Sequence, residues 1–98
     1  MHTATMRYSV KKEHLEEFTT IWNERVLKIA LDQPGFVRMQ LLIRDEGEAL
    51  AMGTWTNANH ATDFMATGVF RDLMTECQKM LTTAPQPTIW TLAGFAAR

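Results

Sequence analysis

Cysteine is nearly missing from this sequence, which has Cys77 alone among its 98 residues. A single cysteine excludes an intrachain disulfide framework and the paired-cysteine metal motifs together. No set of His, Cys, Asp and Glu has the spacing of a metal site, and no glycine-rich loop follows a predicted strand. We therefore expect a cytoplasmic protein that holds neither a metal nor another cofactor.

Strong charge and long apolar runs are also missing. The chain has 10 basic and 11 acidic residues, a net charge of -1, and no basic run, so neither nucleic acid nor a membrane surface is an expected partner. No apolar run approaches the ~20 residues of a membrane span, and the first ten residues lack the plan of a signal peptide. We expect one domain over residues 1–98, small enough for oligomerisation to supplement its core.

The rest of the chain is organised around residues 49–70, ALAMGTWTNANHATDFMATGVF. Small residues at positions 49, 51 and 53 share one face of a predicted strand with Trp55, because side chains alternate along a strand. A face of small side chains that ends in one large ring leaves a hollow. The sequence therefore predicts a ligand pocket beside Trp55.

A short helix follows that strand at once. Asn57 is a favourable cap residue, and Thr67-Gly68 breaks the helix before another begins. His60 and Phe64 are four residues apart and so lie one above the other on a single helical face. If that face covers the strand, Trp55, His60 and Phe64 surround the hollow.

Periodicity predicts the remaining elements. Alternating residues indicate a strand at 3–10, and steps of three and four indicate an amphipathic helix from about residue 12 to 30. A polar turn at 45–48 joins two further strands into a hairpin. A second helical stripe begins at Val69, and a last strand is expected at 88–95. The predicted order is β-α-β-β-α-β with the second helix broken.

That order is typical of an α+β, ferredoxin-like fold with two helices on one face of a four-stranded antiparallel sheet. Both faces of the predicted strands are apolar. In the second strand Val37, Met39 and Leu41 lie on one face, and Phe36 and Leu42 lie on the other. Since the helices cover only one face, we expect a homodimer in which the partner's sheet covers the other.

These features resemble the antibiotic biosynthesis monooxygenase family of dimeric α+β barrels. The resemblance is carried by the Pro34-Gly35-Phe36 turn after a long helix, the strand ending in Trp55, the polar cap and the broken helix. It implies oxidation of aromatic phenols without metal or flavin, although relatives degrade haem or isomerise lactones. The family's tryptophan falls on Trp55 and its polar residue on Thr56 or Asn57.

Two features of that family pattern are absent. The histidine often found nine or ten residues after the tryptophan would fall on Phe64 or Met65. The asparagine that the haem-degrading relatives carry in strand one is replaced by Tyr8 and Ser9. His60 lies one turn earlier than the missing histidine and could present an imidazole to a similar pocket.

The candidate catalytic residues are His60, as a base near neutral pH, and Tyr8, as a hydrogen-bonding group for a phenolic oxygen. Trp55, Phe64, Trp22 and Asn57 are the candidate substrate-binding residues. Each also has a structural interpretation: the aromatic residues as core, His60 as a capping or solvated side chain, and Tyr8 as strand packing. The seven methionines fill irregular space and tolerate varied ligands, but most of them suit a plain core.

The sequence thus predicts a small aromatic ligand and leaves two functions open. One is cofactor-independent oxygenation of a phenol or quinol, which needs a base or hydrogen-bond donor and a dry cavity. The other is a non-catalytic binding protein, or an isomerase on the same scaffold, which the missing histidine favours.

Overall fold

The computed structural model describes residues 1–98 and shows the predicted β-α-β-β-α-β order. The first helical segment has four parts, and the second is split in two. The strands are β1 (His2–Ser9), β2 (Phe36–Ile43), β3 (Glu48–Trp55) and β4 (Gln86–Thr91). The helices are α1 (Leu15–Trp22), α2 (Lys28–Ala30), α3 (Ala58–Met65) and α4 (Val69–Cys77), with 3-10 turns at Lys12–His14 and Gln78–Met80 and a π-helical turn at Asn23–Leu27.

The four strands form one antiparallel sheet in the order β2-β3-β1-β4. The inner face of the sheet shares a single hydrophobic core with the helices, which includes Tyr8 from β1, Trp55 from β3, Phe18 from α1 and Leu73 from α4. The predicted α+β, ferredoxin-like fold is confirmed. None of the helices combines the length and hydrophobicity needed to cross a membrane.

The first helical segment packs through the stripe that its periodicity predicts. Phe18, Trp22, Val26 and Ala30 are all buried. The π-helical turn begins at the residue after Trp22, and such turns are frequent at functional sites. Trp22 therefore lies at the junction between α1 and the wider π-helical turn.

The inner face of β3 carries the small residues that its sequence alternation predicts. Ala49, Ala51 and Gly53 are buried together with Trp55, while Leu50 and Met52 between them are only partly buried. The hollow therefore lies on the side of the sheet that the helices cover.

One predicted face assignment in β2 is wrong. Alternation placed Phe36 opposite Met39, but the register slips between Phe36 and Arg38, so that Val37 is an extra residue. Such a bulge changes which side chains face inwards. Phe36 now lies on the inner face opposite Trp55, with Met39 opposite Gly53.

The predicted bounds of the last strand are also wrong. β4 begins at Gln86 and ends at Thr91, instead of running from residue 88 to 95. Pro87 is tolerated because β4 is an edge strand, where a missing N–H need not interrupt the ladder.

The chain after β4 returns over the outer face of the sheet. The ring of Phe95 lies 5.0 Å from the Arg38 guanidinium, although β2 and β4 are opposite edges. Leu42 and Trp90 on this outer face stay about half exposed, at 49% and 56%.

Candidate functional site

A cavity lies between the sheet and the helices, directly above the small residues of β3. Ala51 and Gly53 form its floor, and Trp55 and Trp22 contribute to its walls. Most of the twelve lining residues are hydrophobic: Ala4, Thr5, Met6, Trp22, Met39, Ala51, Gly53, Trp55, Ala61, Phe64, Met65 and Phe70. The cavity volume is about 20 Å³, which is room for about one water molecule. The cavity is thus present but contracted.

Aromatic rings pack in a chain along one side of this cavity. The Trp55 ring is 5.0 Å from that of Phe64 and 5.5 Å from that of Phe36, and Phe64 meets Phe70 edge-on at 5.6 Å. Tilted and edge-to-face pairs at these separations are favourable. Of these four rings, those of Trp55, Phe64 and Phe70 line the cavity, and that of Phe36 supports Trp55 from behind.

Gly53 is the point where the floor of the cavity comes closest to its contents. A Cβ built on Gly53 would lie 2.7 Å from Met39 Cε and 3.2 Å from Trp55 Nε1. Only glycine leaves both atoms this near the strand. The indole N–H of Trp55 therefore stands beside the space above Gly53.

Tyr8 and Trp22 form a buried polar pair behind the cavity. Tyr8 Oη and Trp22 Nε1 are both buried and make no hydrogen bond, and Tyr8 packs against Phe18 with ring centroids 5.0 Å apart. Burial raises the pKa of Tyr8 well above its usual value, and the nearby Trp22 N–H offsets only part of the rise. At neutral pH Tyr8 is thus a phenol that can donate a hydrogen bond but cannot act as a base.

His60 and Asn57 do not line the cavity. Asn57 is exposed, and its Oδ1 accepts the His60 backbone N–H at 3.0 Å, which caps α3 as predicted. The His60 ring lies against the turn before β2, since a Cβ on Gly35 would collide with His60 Cδ2. The helical spacing of His60 and Phe64 was correct, but of these two residues only Phe64 lines the cavity, because the His60 ring packs against Gly35 instead.

The structure thus brings Trp55, Phe64 and Trp22 to one cavity, with Tyr8 behind Trp22. Sequence reasoning missed two neighbours of this group. Met39 reaches the cavity because β2 places it opposite Gly53. His2 lies opposite Trp55 on the inner face, with Nδ1 buried and unpaired.

Both missed residues had a signal in the sequence. His2 is separated from Met6 and Tyr8 by an even number of residues, so alternation places all three on one face of β1. Met39 pairs with Gly53 across the β2–β3 hairpin. Alternation alone did not identify Met39 as a cavity residue, because alternation does not tell which residue of β3 Met39 pairs with.

The remaining reactive groups do not contribute a nucleophile or metal ligands. Cys77 is fully buried on α4, and burial, together with nearby Glu76 and Glu17, raises the pKa of its thiol. The structure has no group of three His, Cys, Asp or Glu side chains that could hold a metal ion. What the site offers chemically is an apolar, aromatic space with N–H and O–H donors around it.

Tyr8 predicts how stability depends on alkaline pH. Its pKa in the folded protein lies above the unfolded value of ~10, so its contribution to stability is complete below that pH and is lost as pH rises towards the folded pKa. Tyr8 is the only tyrosine, so tyrosinate absorbance reports it alone. We expect that absorbance to appear together with unfolding, as followed by circular dichroism. Titration near pH ~10 with the fold intact would contradict the buried hydroxyl.

Comparison with known proteins gives the same family for most of the chain. The family model described as antibiotic biosynthesis monooxygenase matches residues 1–76. A search of curated protein sequences finds no significant match.

Solved structures agree closely in fold. A candidate antibiotic biosynthesis monooxygenase from Nitrosomonas europaea has a TM-score of 0.83 at 14% identity, covering 96% of this chain and 100% of its own. SnoaB, described as a cofactor-independent oxygenase from Streptomyces nogalater, has a TM-score of 0.79 at 23% identity, covering 99% and 97% (determined as a mutant). A second N. europaea protein, of unknown function, has a TM-score of 0.82 at 12% identity, covering 99% and 94%. At these identities the structures show a shared fold, and with the family match over 1–76 this chain belongs to the antibiotic biosynthesis monooxygenase family.

Proposed function

We propose that this protein is a cofactor-independent oxygenase of a small, flat phenol or quinol that binds in the cavity beside Trp55. The observation that carries the proposal is an apolar cavity lined by Trp55 and Trp22, with two buried donors that lack acceptors: the N–H of Trp22 in its lining and the O–H of Tyr8 behind it. Family membership supports it, as does the likeness to SnoaB, whose description names this class of oxygenase. Fold alone does not determine chemistry, so the residues of the cavity have to supply it.

The reaction needs no electrons from outside the substrate. The substrate loses a proton from its phenol or an adjacent C–H, and the resulting anion transfers an electron to O2. The radical pair then forms a C–O bond. The reacting ring carbon is a CH2 group in the keto tautomer of the phenol. Collapse of the peroxide breaks the O–O bond, so that this CH2 group and O2 become a C=O group and water. One oxygen atom enters the product, the other leaves as water, and the substrate carbon supplies all four electrons.

The cavity suits this chemistry through hydrogen-bond donation. The Trp55 N–H stands above Gly53, and the Trp22 N–H and Tyr8 O–H lie buried without partners. Donors that bond to the charged form of a phenol lower its pKa, so they stabilise the anion that reacts with O2. The apolar walls keep water away from the radical pair.

The base is assigned to His60 within this proposal. Its ring packs on Gly35 at the outer end of the Trp55 wall and has to turn inwards to reach a bound phenol. Asn57 contributes by holding the first turn of α3, through its hydrogen bond to the His60 backbone. Tyr8 acts as a donor, because its raised pKa keeps the proton on its oxygen.

A second function, binding without catalysis or isomerisation, is favoured by one specific observation. No carboxylate or imidazole lines the cavity, so none of the lining residues can remove a proton near neutral pH. A protein that sequesters an aromatic compound needs the apolar walls and donors but no base.

Oxygen uptake by metal-free protein across a panel of anthrones and quinols distinguishes these functions. We expect one O2 consumed per substrate. Tyr8→Phe should lower the rate by about tenfold, the effect of one lost hydrogen bond of ~1.4 kcal/mol to the developing anion. His60→Ala should abolish uptake, whereas the matched control His14→Ala should retain it. Tight binding with no uptake above buffer for any compound would favour the binding protein.

We also propose that the protein is a homodimer whose outer sheet faces pack together. Leu42 and Trp90 stand about half exposed on the outer face of β2 and β4. Apolar side chains of this size on one face are typical of a surface that a partner covers. An identical face on a second chain is the natural partner for a two-fold interface.

The dimer predicts two chains in sedimentation equilibrium at micromolar concentration. Leu42→Glu should shift the protein towards monomer, because it buries a charge in the interface. Leu31→Glu is the matched control, since Leu31 is 68% exposed just after α2 and away from the sheet. A stable monomer for the unaltered chain, or equal effects of the two substitutions, would remove the proposed interface.

A further inference from the structure

Met39 occupies the space that glycine leaves free on the cavity floor. The Met39 Cε atom lies 2.7 Å from the position that a Cβ on Gly53 would take. Trp55 Nε1 is 3.2 Å from the same position, so the thioether methyl and the indole N–H meet above one residue. The Met39 methyl group therefore occupies the part of the cavity through which a ligand ring would reach the indole N–H.

The backbone explains why Met39 reaches this place. The regular register of β2 after the bulge places Met39 on the inner face, opposite Gly53. β2 is the outermost strand on its side of the sheet, and Met39 is only partly buried. The Met39 side chain therefore lies between the cavity and the solvent.

The cavity is too small for an aromatic ring, so at least one lining side chain has to move before a ring can enter. About 20 Å³ holds one water molecule, whereas pockets for drug-sized ligands measure roughly 300–1,000 Å³. Trp55, Phe64 and Trp22 are almost fully buried, and the rings of Trp55 and Phe64 pack together with centroids 5.0 Å apart. Methionine is unbranched, has three rotatable bonds and adapts to irregular space.

Met39 is better placed to move than the other two methionines of the lining. Met6 lies on β1, a central strand, and Met65 ends α3 between the cavity and the loop to α4. The side-chain atoms nearest to a Cβ on Gly53 belong to Met39 and Trp55.

We propose that Met39 is a movable gate that sets the size of aromatic ring the cavity accepts. In the closed position its methyl group covers the space above Gly53. When it turns towards solvent, a ring can stack along the Trp55 wall and receive the indole N–H. The inference depends on the proposed function only for the class of ligand and is independent of any reaction with oxygen.

Ligand size tests the gate directly. Phenols and hydroxylated quinones of one, two and three fused rings would be titrated by tryptophan fluorescence. Met39→Ala should improve the affinity for three-ring compounds by roughly tenfold, and that for one-ring compounds much less, because removal of the thioether arm frees space that only a larger ring fills. Met74→Ala is the matched control, as Met74 packs partly buried on α4 and does not line the cavity.

The methyl group itself provides a second measurement. In protein labelled with ¹³C at the methionine methyl groups, the Met39 signal should be shifted by the ring current of Trp55 and be assigned by its absence in Met39→Ala. A bound ring should move this signal more than that of Met52, which lies on the outer face. Both results together support the gate.

Three outcomes would overturn the inference, and they differ in whether they also contradict the proposed function. Binding by the unaltered protein with the same size preference in Met39→Ala would exclude the gate but leave the proposed function. A Met39 signal unmoved by bound ligand would place the ligand elsewhere in the cavity. Failure of both proteins to bind any of the compounds would remove the gate and the proposed function together.

Discussion

Up to Gly53 the inner face of β3 carries almost no side-chain volume, and the positions of the surrounding residues depend on that. Ala49, Ala51 and Gly53 are buried under the helices yet fill little of the space between the layers. Protein interiors are close-packed, so larger side chains from neighbouring elements have to reach into the space. Trp55 closes one end, Trp22 approaches from the first helical segment, and Met39 extends across from β2. A site forms because the space is filled by side chains from several elements, one of which is flexible.

The polar groups around this space show what the site can do. Tyr8 Oη and Trp22 Nε1 are buried without partners, and a buried donor that lacks an acceptor destabilises the folded state by about 1–3 kcal/mol. In the proposed function, an oxygen atom of the ligand offsets that cost. The raised pKa of Tyr8 keeps it a donor, and the site therefore stabilises an anion more readily than it creates one.

Much of this arrangement could be predicted from the sequence, because it follows from local periodicity. The small face of β3, the cap at Asn57 and the break at Gly68 are encoded in a few adjacent residues. The position of α3 relative to the end of the sheet is not, which is why His60 was expected in the cavity and lies against Gly35. The bulge that turns Phe36 inwards, and the pairing of Met39 with Gly53, depend on strand register, which alternation alone does not specify.

The central claim is that the space above Gly53 binds the ligand, and Gly53→Ala tests it most directly. The added Cβ would meet the flexible end of Met39 at 2.7 Å and Trp55 Nε1 at 3.2 Å, so the protein should fold while the space is lost. Gly94→Ala is the matched control, because a Cβ there has no atom within 4 Å. Isothermal titration with a hydroxylated naphthoquinone should show affinity at least ~10-fold weaker for Gly53→Ala and unchanged for Gly94→Ala. Equal affinities in two folded variants would contradict the account.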